Sequence, residues 1–410
     1  MTEYFDELET RSADTREQEL FRKLPEHLAA AVKVSSGLAD HLNGYDLNIT
    51  SRKDLASLPV LRKPELMAAQ QKIPPFGGFA NLEALAGSRI FLSPGPIWEP
   101  QGMGADPWLA ARALFAAGFR KGDIVHNALA YHMTPGGFIL DEGLRALGCT
   151  VFPAGIGNTE MQVDAAAALK PSAYAGTPDY LKVILDKADE MGKNLSSINR
   201  ALVSGGALFP SMRDDYAKRG VQVLQCYATA DLGVIAYETL TDGAANEGMI
   251  VSEELIVEIV RPGTGEPVAH GEVGELVVTN FSKTYPLVRF GTGDLSCVID
   301  EPSPCGRTNM RLKGWMGRAD QRTKIKGMFV DPKQIADLTK KHTDIKGARL
   351  VVERKGDQDA MRLQIVGEGL DLDSIESSLR DLTKLGGQVE LVDSLPNDGK
   401  VIADERDYDT

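Results

Sequence analysis

The sequence predicts an α/β protein that ends in a small α+β domain, and three observations carry that expectation. From about residue 105 to 240, short apolar runs alternate with helix-forming stretches, as in parallel sheet covered by helices. From 249 to 300 the runs become IVSEELIVEIV, GELVVTNF and YPLVRFG, separated by Gly-rich turns, a pattern expected of antiparallel β-structure. After Asp320 the character changes again, to roughly ninety residues of short strands and two helices.

Taken in order, residues 1 to about 75 read as helices and polar turns. Leu20 to Val34 carries an apolar stripe, and Ser51 caps a short helix ahead of Leu58-Pro59. Asp106-Pro107 is a helix start, with Gly118 as its stop. Gly148 to Gly155 (GCTVFPAG) reads as a buried strand, and Thr177-Pro178 opens a helix that closes at Gly192. RALVSGG (Arg200 to Gly206) and VQVLQCYA (Val221 to Ala228) are two further buried strands. The final segment reads IKGMFV, PKQIADLTKKH, ARLVVER, MRLQIVGE, LDSIESSLRDLTKLG and QVELVD. We place the boundary near Gly317 to Gln321, giving domains of 1–318 and 319–410, with no internal repeat.

A chain of 410 residues with net charge -13 lacks the basic footprint that nucleic-acid binding requires. No apolar run approaches the ~20 residues that cross a bilayer, and the charged N-terminus is unlike a secretory signal. Cys149, Cys226, Cys297 and Cys305 form no CxxC pair and no metal-ligand spacing, so reduced thiols and a cytoplasmic location are expected.

The stretch from Arg289 to Pro332 carries the most chemistry. It reads RFGTGD, then PCGRT, then GRADQRTKIKGMFVDP. The carboxylate of Asp294, just after a Gly-Thr-Gly turn, suits both hydroxyls of a ribose, while Arg318, Lys324 and Lys326 supply cations for phosphates. Upstream, the turn Cys226-Tyr227-Ala228-Thr229-Ala230-Asp231-Leu232-Gly233 follows a strand, where α/β sheets bind small molecules. Its aromatic ring, hydroxyl and carboxylate suit a purine, a phosphate and a divalent cation. Ser204-Gly205-Gly206-Ala207 ends the preceding strand, and its glycines let a flat ligand lie against backbone or simply allow tight packing. Tyr131 and Phe138 would shape an aryl-sized slot. His132 is a candidate contact to a polar substituent, although a hydrogen-bonded structural histidine is the favoured reading.

In order and spacing these segments resemble the adenylate-forming superfamily of acyl-CoA synthetases and luciferases, and within it the phenylacetate-CoA ligases. The lead-in ITSRKDLASLPVLRKPEL (Ile49 to Leu66) resembles the same branch, as does the Gly155–Gly157 turn before Thr159 and Gln162. Tyr227 to Asp231 is similar to the family's Tyr-Gly-x-(Thr/Ser)-Glu, with Ala228 for Gly and Asp231 for Glu. Ala207 stands where the family commonly has Glu. Leu395 to Lys400 resembles its Leu-Pro-Arg-(Ser/Thr)-x-Gly-Lys ending, one residue shorter.

The resemblance implies a large adenylate-forming domain of stacked α/β sheets with a β-rich subdomain, and a small mobile C-terminal lid. It implies MgATP-dependent activation of a carboxylic acid, followed by acyl transfer to coenzyme A. Catalytic roles fall to Lys400, which bridges carboxylate and α-phosphate, and to Asp231, which holds Mg²⁺. Nucleotide contacts fall to Ser93, Gly205, Gly206, Ala207, Tyr227, Ala228, Thr229, Asp294, Arg318 and Lys326. Tyr131, His132, Phe138, Gly206 and Val234 line the acyl pocket, and Asp320 is the hinge. An aromatic acid is the expected substrate, and a homodimer is a possible assembly.

One segment departs from the family. Where its phosphate loop reads Ser-Ser-Gly-Thr-Thr-Gly-Lys-Pro, this chain has Ser93-Pro94-Gly95-Pro96-Ile97-Trp98-Glu99-Pro100. Prolines lack the N–H groups that cradle phosphate, and Glu99 is expected to repel it. Two other readings therefore stay open: an adenylyl-transfer enzyme of the deazaflavin-adenylylating kind, and a non-catalytic nucleotide or acyl-CoA binding relative.

Overall fold

Apolar runs without polar alternation are strands buried on both faces. The computed structural model places them at the centre of a large sheet. It describes residues 3–319, 321, 323–356, 358–396 and 400–406. The chain divides into two compact units, Met1–Trp315 and Met316–Thr410.

The first unit contains a nine-stranded sheet. In spatial order its strands are Val298–Ile299, Arg311–Leu312, Met249–Val251, Gly233–Tyr237, Gln222–Thr229, Arg200–Val203, Ala173–Gly176, Ile124–Asn127 and Thr150–Pro153. The last five run parallel, and the remaining pairings are antiparallel. Helices Gly136–Ala146, Thr159–Leu169, Pro178–Glu190 and Pro210–Lys218 alternate with the parallel strands, as the sequence pattern predicts. Ala173–Gly176 is buried along its whole length. Thr150–Pro153 is not buried as predicted. It is the edge strand, flanked on one side only, and its residues are half-buried or exposed.

The predicted helix start at Asp106-Pro107 also shifts. The helix runs Ala110–Ala116, after Leu109 turns the chain at φ 58°. Asp106 still serves it, because its Oδ1 accepts from the Ala110 N–H at 2.9 Å and its Oδ2 from Ala111 at 2.8 Å. These two bonds satisfy orphan donors of the first turn.

A second, four-stranded sheet orders Leu61–Arg62, Phe290–Ser296, Gly274–Asn280 and Leu255–Val260. It is antiparallel except for the short first strand. The long helix Ala13–Val34 buries Leu20, Leu24 and Leu28 in one apolar core with Ile256, Leu276, Val278 and Phe290. A second core gathers Trp108, Leu114, Phe119, Val125, Leu140, Leu202 and Val234 around the parallel strands. All four cysteines are buried and unpaired. Among the described residues, no helix is long and apolar enough to cross a membrane.

Arg289, in the stretch that the sequence singles out, faces inward. Its guanidinium donates to both oxygens of Glu258 at 3.0 Å and to the carbonyls of Ala56, Leu58 and Gly265. It thereby ties the lead-in segment to the second sheet, directly before the strand that carries Asp294.

The second unit packs helices Pro332–Lys341 and Leu372–Thr383 with a four-stranded sheet. The sheet order is Gln388–Leu391, Gln358–Gly367, Ile345–Lys355 and Ile402–Asp404. Its core holds Ile335, Leu338, Leu350, Val352, Leu363, Ile365, Ile375 and Leu379.

The buried Arg289–Glu258 pair gives a stability prediction. Arg289→Met leaves a buried carboxylate unpaired and should cost about 3–5 kcal/mol in urea unfolding. Arg261→Met, which breaks an exposed pair with Glu272, should cost no more than about 1 kcal/mol. Equal losses would show that Arg289 does not organise this region.

Candidate active site

The parallel strands end at Asn127, Pro153, Gly176, Val203 and Thr229. Most of the first unit's predicted site residues lie just past those ends, at 131–138, 205–207 and 231, or at the last positions of the final strand, 227–229. The strand Ile124–Asn127 pairs with Thr150–Pro153 on one side and Ala173–Gly176 on the other. The chain order reverses there, which opens a crevice at the carboxyl ends of the strands.

On one side lies Asp294, nine-tenths buried. Gly293, at φ 75°, turns the backbone ahead of it, a conformation glycine adopts without strain. The Tyr227 hydroxyl donates to its Oδ2, and Trp315 Nε1–H donates to its Oδ1 at 3.1 Å. A carboxylate has about four lone-pair sites, so both oxygens retain capacity for further donors. Tyr227, Asp294, Ser296, Gly314 and Trp315 line a narrow pocket. Ala228 and Thr229 are half-buried beside it. Thr229 Oγ1 accepts from the Leu232 N–H at 3.3 Å, so its hydroxyl closes the turn. Ser204 donates to the Cys226 carbonyl at 2.9 Å, tying two strand ends together. Gly205 and Gly206 lie exposed next to them, with Ala207 half-buried.

Asp231 has a different setting from the one the sequence suggests. Its side chain is 0% exposed, and the Lys63 ammonium lies 2.7 Å from its Oδ2. The contact is a close ion pair, and Asp231 Oδ1 is buried with no hydrogen-bond partner. Burial works against the charge of Lys63. Asp231, backed by Asp294 and Glu99, outweighs that and raises its pKa above the ordinary lysine value.

Glu99 is the third member of the cluster. The sequence places it on a phosphate-facing loop; instead it sits on the second strand of the hairpin Ile90–Ser93/Ile97–Pro100 and is 2% exposed. The Ser93 hydroxyl donates to Glu99, so Ser93 serves the cluster. Burial first, and then the Asp231 carboxylate, push the Glu99 carboxyl up to about 8. The physical reason for the inward turn is strand alternation: Trp98 faces solvent, so Glu99 faces the interior.

Gln70 fixes this arrangement. It lies on the helix Lys63–Lys72 and exchanges two 2.8 Å bonds with the Trp98 backbone, through Nε2–H to the carbonyl and Oε1 from the N–H. Lys63 and Gln70 are seven residues apart and share one helix face. One helix therefore presents the cation and clamps the strand bearing Glu99.

Past the end of the strand Ile124–Asn127, Tyr131 and Phe138 meet edge to face with centroids 4.9 Å apart. The Tyr131 hydroxyl donates to Asp141 Oδ2 at 2.9 Å and accepts from Asn127 at 2.8 Å. Burial, then Asp141, raises the Tyr131 pKa, and burial raises that of Asp141. Phe138 packs on the core that includes Val234, which is fully buried. The guanidinium of Arg89 lies 4.6 Å from the Phe138 ring. His132 is exposed. Gln162 organises the glycine turn: its Oε1 accepts from Nε2 of buried His126 at 2.8 Å, and its Nε2 donates to the Gly155 and Gly157 carbonyls.

Arg318, Lys326 and Lys400 belong to the second unit. Lys326 occupies a hairpin turn at φ 47°, and its N–H donates to Asp359 Oδ2 at 3.0 Å. Lys400 is exposed, and the adjacent Val401 N–H donates to Gln321 at 2.7 Å. Asp320 and Asn397–Gly399 lie outside the described residues. The sequence reading missed Lys63, Trp315 and Asp141 as site residues. Lys63 had a signal in Arg-Lys-Pro-Glu at a helix start, but nothing local announced its partner 168 positions away.

The chain is similar to known proteins in sequence and in fold. The sequence model of the AMP-binding enzyme family matches residues 117–282. The phenylacetate-coenzyme A ligase of Thermus thermophilus is 29% identical over 385 residues, spanning 88% of this chain and 84% of that one. Its Aromatoleum evansii counterpart is 30% identical over 338 residues, 78% of this chain and 73% of that protein. The Escherichia coli counterpart is also 30% identical, over 330 residues, 76% and 72% of the two chains. Among solved structures, a 2-hydroxyisobutyryl-CoA ligase with its acyl-AMP and CoA superposes with TM-score 0.79, covering 98% of this chain and 92% of that one. At 23% identity this likeness establishes the α/β fold. The chain belongs to the phenylacetate-coenzyme A ligase family, AMP-forming acid–CoA ligases of the adenylate-forming superfamily.

Proposed function

We propose that this protein joins an aromatic carboxylic acid to AMP, using ATP, and then transfers the acyl group to coenzyme A. The observation that carries the reading is Asp294, braced by Tyr227 and Trp315 at the mouth of the sheet. A carboxylate fixed in this way suits the vicinal hydroxyls of a ribose. The edge-to-face pair of Tyr131 and Phe138 supports an aryl-sized acyl slot. The pinned Tyr131 hydroxyl gives that slot a polar side wall.

In the first half-reaction a carboxylate oxygen of the acid attacks the α-phosphorus, and the bond to pyrophosphate breaks. In the second the CoA thiolate attacks the acyl carbon, the carbon–oxygen bond to AMP breaks and AMP leaves. Lys400 is the residue we assign to bridging the attacking carboxylate and the α-phosphate. Glycines 205 and 206 leave room for the adenine against backbone. Arg318 and Lys326 are assigned to phosphate, and Asp320 to the hinge between the two half-reactions.

Asp231 Oδ1, buried and without a hydrogen-bond partner, fits a ligand for Mg²⁺. When bound with ATP, the ion offsets charge on the phosphates. The contact from Lys63 must then loosen, because one carboxylate oxygen cannot serve an ammonium and a close cation equally well.

The direct test is acid-dependent exchange of labelled pyrophosphate into ATP across aromatic and aliphatic acids, with and without CoA. Exchange with an aryl acid, and thioester formation only when CoA is added, is the expected result. Exchange without any CoA-dependent product would point to a different adenylyl acceptor. A second prediction concerns Asp294→Ala, which removes charge-assisted bonds of about 1.5–3 kcal/mol each. AMP affinity measured by calorimetry should fall at least tenfold, and unchanged affinity in a folded variant would remove the ribose assignment.

A further inference from the structure

We propose that Lys63 is the triphosphate-binding cation of this enzyme, held on Asp231 until MgATP arrives. The inference rests on the ATP-dependent reading of the site given above. It begins from an absence in the sequence: Ser93 to Pro100 contains no lysine or arginine, and prolines at 94, 96 and 100 provide no N–H. The turn of that hairpin, Pro94 to Pro96, is exposed, while Ser93 and Glu99 point inward and bond each other. The hairpin therefore presents little that could grip a triphosphate.

Lys63 is placed to do so. Its ammonium touches Asp231 at 2.7 Å and is within electrostatic reach of Asp294, the proposed ribose ligand. Its side chain is 27% exposed although its partner is 0% exposed, so the lysine reaches inward from a partly open position to a closed carboxylate. It also rides on a helix that is clamped to the hairpin through Gln70, which fixes where the side chain begins. A lysine side chain is flexible, so its ammonium can move from Asp231 to a nearby anion while the helix that carries it stays fixed. A phosphate oxygen offers the ammonium a charge-assisted partner, and the divalent ion that accompanies ATP offers Asp231 a replacement cation. Neither charge is then stranded.

The proposal separates ATP from AMP. In the full-length protein, calorimetric titration with ATP and Mg²⁺, and separately with AMP, should show that Lys63→Gln weakens ATP about tenfold or more, the loss of one charge-assisted phosphate contact. AMP should change by less than about threefold, since it carries no β- or γ-phosphate. Lys63→Arg should recover part of the ATP affinity, and Lys72→Gln, an exposed lysine at the other end of the helix, should leave both titrations unchanged. If Lys63→Gln unfolds because Asp231 is stranded, the pair Lys63→Met with Asp231→Asn removes both charges. Compared with Asp231→Asn alone, which already lacks the carboxylate, the pair should bind ATP more weakly still and AMP equally well; equal ATP affinity in the two variants would overturn the assignment. Equal losses for ATP and AMP, or no loss for either, would overturn the assignment. These titrations need no acid or CoA, so they remain interpretable if pyrophosphate exchange fails for every acid tried.

Discussion

A buried carboxylate needs a cation, and in this protein that need is met for Asp231 by Lys63 alone among the described ion pairs. Taking each charge out of water costs several kcal/mol, so the pair persists only while both partners are held close. That requirement constrains three separate elements: the helix start at Lys63, the hairpin bearing Glu99, and the turn after Thr229 that buries Asp231. Gln70 joins the first two, and the bond from Leu232 to Thr229 closes the third. The site is thus assembled from distant segments around one electrostatic contact.

The surrounding fold makes this contact possible. Arg289 anchors the lead-in segment to the second sheet and stands five positions before Asp294. The same anchoring positions the short strand Leu61–Arg62, and the helix carrying Lys63 follows it immediately. Asp294 and Lys63 are therefore linked through the backbone as well as through charge. The aromatic slot is built differently. Tyr131 and Phe138 sit past the first parallel strand, and Asn127 and Asp141 set the tyrosine's orientation.

Much of this was legible in the sequence because it is local. Alternating apolar runs identified the parallel strands, and Thr177-Pro178 marked its helix start. Asp294 could be singled out because a Gly-Thr-Gly turn precedes it. Other features depend on long-range packing that pattern cannot report. The strand Thr150–Pro153 is apolar but lies at an edge. Asp106 caps its helix from a distance, because Leu109 adds a left-handed turn before Ala110. Glu99 stood where the family has its phosphate loop and was expected to repel phosphate, yet strand alternation turns it inward. Arg289 looked like part of a nucleotide motif and proves to be a buried structural cation. Each of these misses concerns which way a residue faces, which is fixed only when the second partner is known.

The most direct test of the account is a crystal structure of the wild-type protein with Mg²⁺ and a non-hydrolysable ATP analogue. We expect the Lys63 ammonium about 3 Å from a β- or γ-phosphate oxygen, with Asp231 turned to the divalent ion or its water. A triphosphate bound with Lys63 still paired to Asp231, and contacted by other cations only, would contradict it.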